Sequence, residues 1–173
     1  MALALSGHIR TSIDLAQTNA LVLSTPSDSI SLADNRTITS GTGAEQGDLL
    51  WHDQRTLSNG ATEDLALHAG TLTGPFGSAI TFDKVKGIFI RNLSTVNSLK
   101  IGGATATCVP LFANTSDILV LPACASTTYP TRFLIEAPAA AGLAVTTNEL
   151  LKIGHGGDTT NSQTYDIVIW GED

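Results

Sequence analysis

Short apolar or alternating runs, cut by Gly, Asn, Ser, Pro and Asp, recur along this chain at spacings of roughly 8 to 12 residues, the rhythm of strands in all-β domains. That rhythm leaves little room for helices. The expected fold class is all-β: an antiparallel β-sandwich or jelly roll with an extended N-terminal arm. The clearest run is Val85-Lys86-Gly87-Ile88-Phe89-Ile90-Arg91, rich in β-formers. Ser94-Thr95-Val96-Asn97 is expected to turn it into Ser98-Leu99-Lys100-Ile101 as a hairpin, ahead of Gly102-Gly103. Strict alternation puts Val85 and Phe89 on one face and Ile88 and Ile90 on the other, so both faces should be covered, as in a central strand or a subunit contact.

Ile118-Leu119-Val120-Leu121 is stopped by Pro122, and Arg132-Phe133-Leu134-Ile135-Glu136 by Pro138, because proline cannot donate to a ladder. Gly142 to Thr146 and Glu149 to Ile153 read as further strands, followed by the glycine-rich turn Gly154-His155-Gly156-Gly157-Asp158. In the last strand, Thr164 to Trp170, Tyr165, Ile167 and Ile169 share one face, and Asp166, Val168 and Trp170 the other. It should belong to the core sheet. Asp48-Leu49-Leu50-Trp51 and Asp64 to His68 are shorter candidates. Before them Ile9, Ile13 and Leu15 alternate loosely, Ala20-Leu21-Val22-Leu23 is apolar, and Ser24 to Gly47 is polar and Ser/Thr-rich, which suits extended structure or turns. Residues 1–45 are therefore read as an N-terminal arm or peripheral strands, and 46–173 as the β-core.

A chain of 173 residues can bury about two thirds of its unfolded surface. With 9 basic and 16 acidic side chains and a net charge of -7, it lacks the basic footprint that a phosphate backbone demands, so no nucleic acid partner is expected. No apolar run approaches the ~18 residues of a membrane span, and the N-terminal Met-Ala-Leu-Ala-Leu is short for a signal peptide, which reads as a soluble, unexported chain with no membrane partner. Cys108 and Cys124 could pair across a hairpin, but two cysteines make no disulfide framework, and isolated buried thiols are the plainer reading. The triplets at Asn35, Asn92 and Asn114 match the glycosylation pattern, which chance produces often in a Ser/Thr-rich chain.

Chemistry is sparse in the pattern. His8, His52, His68 and His155 show no paired metal-ligand spacing, and no Gly-x-Ser-x-Gly nucleophile motif occurs. His155, with Asp158 beside it, is the sharpest catalytic or ligand-binding candidate, because glycines let a ligand approach the backbone; an ordinary hairpin turn has the same composition. Asp48, Asp53, Glu63 and Asp64 could gather around Ca²⁺, against the plainer reading of a solvated loop. Trp51, Trp170, Tyr129, Tyr165 and the phenylalanines could form a sugar-stacking platform, whereas Phe89, Phe133 and Tyr165 fall where core residues belong. No catalytic, cofactor or metal residues are assigned, and no enzyme activity is expected.

The stretch from Phe82 to Ile101, with Lys84-Val85-Lys86-Gly87-Ile88-Phe89-Ile90-Arg91-Asn92 and Leu99-Lys100-Ile101-Gly102-Gly103, resembles a pattern in small structural proteins of tailed-bacteriophage heads. So do Phe133 to Pro138, Ala141 to Val145, Leu151 to Ile153 and Thr164 to Ile169. The resemblance covers about residues 48 to 170 as a succession of strands. It implies a capsid decoration or cement protein of β-sandwich or jelly-roll kind, on the outer surface of the virion, assembled in the host bacterial cytoplasm. Its partner would be the major capsid protein, and its own state a homo-oligomer, a trimer matching local symmetry. The arm from Met1 to about Ala44 would be the clamp, gaining main-chain hydrogen bonds by strand addition. Alternatives are a head-fibre or tail-associated β-domain, or a carbohydrate-binding module with exposed Trp51 or Trp170.

Overall fold

The computed structural model describes residues 4–103, 111, 114–147, 149–157 and 160–173, and every regular element among them is a β-strand. Two long strands, β1 (Gly7–Thr18) and β2 (Ser27–Ile38), are followed by β3 (Leu49–Leu57) and β4 (Thr62–Ala66). The two-residue strands β5 (Leu72–Thr73) and β6 (Ala79–Ile80) precede β7 (Lys84–Asn92), β8 (Leu99–Gly102) and β9 (Ile118–Leu121). Then come β10 (Thr131–Glu136), β11 (Leu143–Ala144), β12 (Leu150–His155) and β13 (Gln163–Glu172).

Antiparallel sheets pack together as in a β-sandwich. One runs β10-β7-β13-β3, with β11 added to β7, and the other β4-β12-β8-β9. The last strand is central, with β3 on one side and β7 on the other. Tyr165, Ile167 and Ile169 are fully buried, as the alternation of β13 requires, and meet Leu99, Ile101, Leu151 and Ile153 of the other sheet in one core. Burying such side chains is the main drive to fold, about 1.5 to 3 kcal/mol each.

Three sequence expectations change. Val85 does not share a face with Phe89: the register steps from Gly87↔Trp170 to Val85↔Gly171, so Lys86 is an extra residue in a β-bulge. The bulge resets the alternation. Val85 thus joins Ile88 and Ile90 in the core, while Phe89 is half-buried on the outer face. Secondly, β7 and β8 are not a hairpin, because β8 pairs with β12 and β9 in the opposite sheet. Side chains replace the missing ladder: the Ser94 hydroxyl accepts from the Asn97 N–H at 2.9 Å, and the Asn92 amide oxygen accepts from the Ser94 N–H at 2.9 Å. Thirdly, β12 extends through His155 and β13 lies in the other sheet, so these two strands form no hairpin.

The segment read as an arm or peripheral strands contains a hairpin. Its strands pair only with each other among the described residues, from Gly7↔Ile38 to Thr18↔Ser27. Its inner ladder is closed, so strand addition could use only its outer edges.

Candidate functional site

His155 is buried, and both ring nitrogens have backbone partners: the Gly157 N–H donates to Nδ1 at 3.2 Å and Nε2–H donates to the Asn161 carbonyl at 3.0 Å. This imidazole braces a crossing. The neighbouring glycine serves the same packing, since a Cβ on Gly156 would lie 2.5 Å from the Ser98 carbonyl oxygen, which accepts the Gly156 N–H at 2.8 Å. Asp158 lies outside the described residues, as do Cys108 and Phe112. Cys124 is buried and free, its Sγ 3.2 Å from the Ser94 carbonyl.

The four carboxylates suspected of gathering do not. Arg55 lies between two of them, donating to Glu63 at 2.6 Å and to Asp53 at 2.9 Å. The Tyr165 hydroxyl donates to the other Glu63 oxygen at 2.5 Å, tying β13 to β4 across the sandwich. Burial first, and that hydrogen bond second, push the phenol far above its ordinary range. Asp64 is exposed, opposite Lys152 in the ladder. Asp48 sits near the C-terminal Asp173, and one of its oxygens is buried without a partner.

Desolvation, then the neighbouring Asp173 carboxylate, raise the Asp48 pKa. The folded protein therefore holds the proton more tightly than the unfolded chain, and stability is lost as pH rises from about 4, the unfolded value, through the raised folded one. Asp48→Asn is expected to raise the urea midpoint at pH 7 and leave it nearly unchanged at pH 3. An equal effect at both pH values would trace it to geometry instead of charge.

Neither tryptophan offers a sugar platform. Trp51 is 3 % exposed and Trp170 8 %, so both are packed inside, while the exposed rings Phe76 and Tyr129 stand on separate turns. Trp170 lies directly on Gly87, where an added Cβ would come within 1.9 Å of the indole. Gly87→Ala should displace the ring and destabilise the fold by about 2 kcal/mol, the usual scale of overpacking. A red-shifted tryptophan emission would check it, since Trp51 stays buried.

The roomiest of the described concavities is mostly apolar. A half-open groove of about 530 Å³ lies between Leu49, Leu50, Pro75, Phe76 and Ile80, with Asp48 as the one ionisable residue among the described lining. On the outer face of β13, Asp166 accepts from Arg91 and Gln54, so those polar groups also satisfy one another.

The surface that stands apart is the β1–β2 hairpin. Its base is anchored: Ile9, Arg36 and Ile38 meet Lys86, Pro138 and Trp170 around a small cleft, and Arg36 lies 3.6 Å from the Glu136 carboxylate. The loop after β2 is tied down too, with the Glu45 N–H donating to the Pro138 carbonyl at 2.7 Å. Beyond the base, one face carries the cross-strand pairs Ile13↔Leu32 and Leu15↔Ile30, between 48 % and 65 % exposed. At the tip Val22 and Leu23 are almost wholly exposed. The opposite face is polar, and the Ser12 and Ser31 hydroxyls donate to Asp14, holding its carboxyl below the usual range.

Sequence reasoning noted Ile13 and Leu15 but passed over Ile30 and Leu32. Their period-2 spacing inside a Ser/Asp-rich stretch was the available signal, and it needed the register Ile13↔Leu32 to become a face. No family model, curated protein or solved structure matches this chain.

Proposed function

We propose that this chain is a non-enzymatic virion structural protein: a decoration or cement protein, of jelly-roll kind, that binds the outside of a tailed-bacteriophage capsid and stabilises the major capsid protein shell. It works as a homo-oligomer, a trimer, assembled in the bacterial cytoplasm. The observation that carries this reading is the pairing of a closely packed all-β body with a hairpin whose apolar face has no cover among the described residues. Such a molecule offers binding energy over an extended protein surface instead of in a pocket. Two further features support it. Arg55, Arg91 and Lys84 are matched to carboxylates of the same chain, and a net charge of -7 suits a protein surface over packaged DNA. The strand pattern from Phe82 to Ile169 resembles that of phage head proteins.

The test is cryo-electron microscopy of the particle assembled with this chain. Regular copies across joints between shell subunits are the expected result, together with earlier thermal rupture of particles lacking them. Absence of the chain from every shell position would sink the reading.

A further inference from the structure

We infer that the exposed part of the hairpin's apolar face is the contact between copies of this chain. The inference takes up the homo-oligomer proposed above, and the isolated protein tests it without any shell.

A two-stranded ribbon is marginally stable in water by itself, and strands of 12 residues that are anchored only at their base need cover for their outer half. The cover continues a contact already made. Ile9, Arg36 and Ile38 lie on the same face as Ile13, Leu15, Ile30 and Leu32, so the stripe that seats the base on Trp170 and Pro138 runs on past the body with no partner among the described residues. Aliphatic residues stand on both strands of this stripe in opposed pairs. A symmetry-related hairpin laid on it therefore meets aliphatic with aliphatic, the self-complementarity that a closed homo-oligomer requires.

Charge points the same way. Residues 7–38 hold two arginines and three aspartates, a net of -1, against -7 for the whole chain. Two such ribbons repel each other little, whereas a partner selected by charge would find its complement on the body. Two of the three charges on the apolar face sit at its inner end, where Arg36 is matched to Asp34 at 3.2 Å and to Glu136, and the third, Asp28 opposite Gln17, lies beyond the aliphatic pairs near the tip. Area is of the right scale as well: with Leu21, Val22 and Leu23 at the tip, the exposed aliphatic surface is on the order of several hundred Å², against the ~800 Å² that each partner gives to a stable interface.

Light scattering on the eluting protein at micromolar concentration should give twice 18.0 kDa or a higher whole multiple. Leu15→Asp with Leu32→Asp should weaken association more than a hundredfold and return the single-chain mass. The control Ser12→Asp with Asn35→Asp, on the polar face, should remain oligomeric. Hydrogen exchange of the unmodified protein supplies a reading independent of any variant: amides of Thr11 to Leu15 and Ile30 to Asp34 should gain protection as concentration rises. A single-chain mass for the unmodified protein, unchanged mass in the L15D/L32D protein, or concentration-independent exchange would each overturn the inference. The first of these would leave the face to a foreign partner.

Discussion

Asn92→Ala is expected to remove about 4 kcal/mol of folding stability, read as a lower urea midpoint at an unchanged slope. Asn92 is completely buried at the end of β7, where the chain leaves one sheet for the other. Its amide nitrogen lies within hydrogen-bond reach of the carbonyls of Asn97 at 2.9 Å, Pro122 at 3.0 Å and Leu121 at 3.2 Å, and its oxygen accepts from Ser94 N–H and the Gln163 amide. Alanine would strand several of these groups away from water. Each buried orphan costs about 1 to 3 kcal/mol, so the loss exceeds that of an ordinary truncation. Asn92→Asp should be at least as damaging, because a carboxylate would face three carbonyl oxygens. A cost under about 1 kcal/mol would show water entering the site and replacing the amide. The same burial closes the glycosylation triplet at Asn92 in the folded protein.

Lys86→Met should destabilise by about 3 kcal/mol, the scale of breaking one side of a buried ionic site. Lys86 is the bulge residue of β7 and is 2 % exposed. Its ammonium donates to the carbonyls of Ala139 at 2.8 Å and Ala140 at 2.9 Å, with Gly43 at 3.4 Å. Glu172 lies 3.7 Å away, too far for a hydrogen bond, so that contact is ionic; the other Glu172 oxygen accepts from Lys84 at 2.5 Å. Methionine keeps the length and loses every donor. Because these carbonyls belong to the two loops beside the hairpin base, the variant should also be cut faster by protease between residues 39 and 47. In a double-mutant cycle with Glu172→Gln, removing both charges should cost less than the sum of the single losses. Simple additivity would mean that Lys86 acts through the carbonyls alone.

Local pattern carried much of the fold. β13 was readable to within a few residues because one of its faces is fully buried, and period 2 then fixes which side chains go inside. β9 ends at Leu121 and β10 at Glu136 because Pro122 and Pro138 follow. The bulge at Lys86 was not readable, since a single inserted residue leaves the apolar count of Val85 to Ile90 unchanged and alters only which face Val85 takes. Nor were the sheet assignments of β8 and β12, because a turn between two strands looks alike whether it closes a hairpin or crosses the core.

The candidate residues divide in the same way. His155, Trp51 and Trp170 have types that suit recognition, yet burial and backbone partners occupy them in packing. Leu32 and Ile30 looked like isolated apolar residues in a polar stretch, and became a surface only through pairing with Ile13 and Leu15. By itself the sequence determined the all-β class, the strand ends at prolines and the buried face of β13, all of which depend on neighbours a few residues away. Only tertiary structure decided which strands share a sheet, which polar groups are satisfied inside, and which apolar face stands uncovered, because each depends on contacts between residues far apart in the chain.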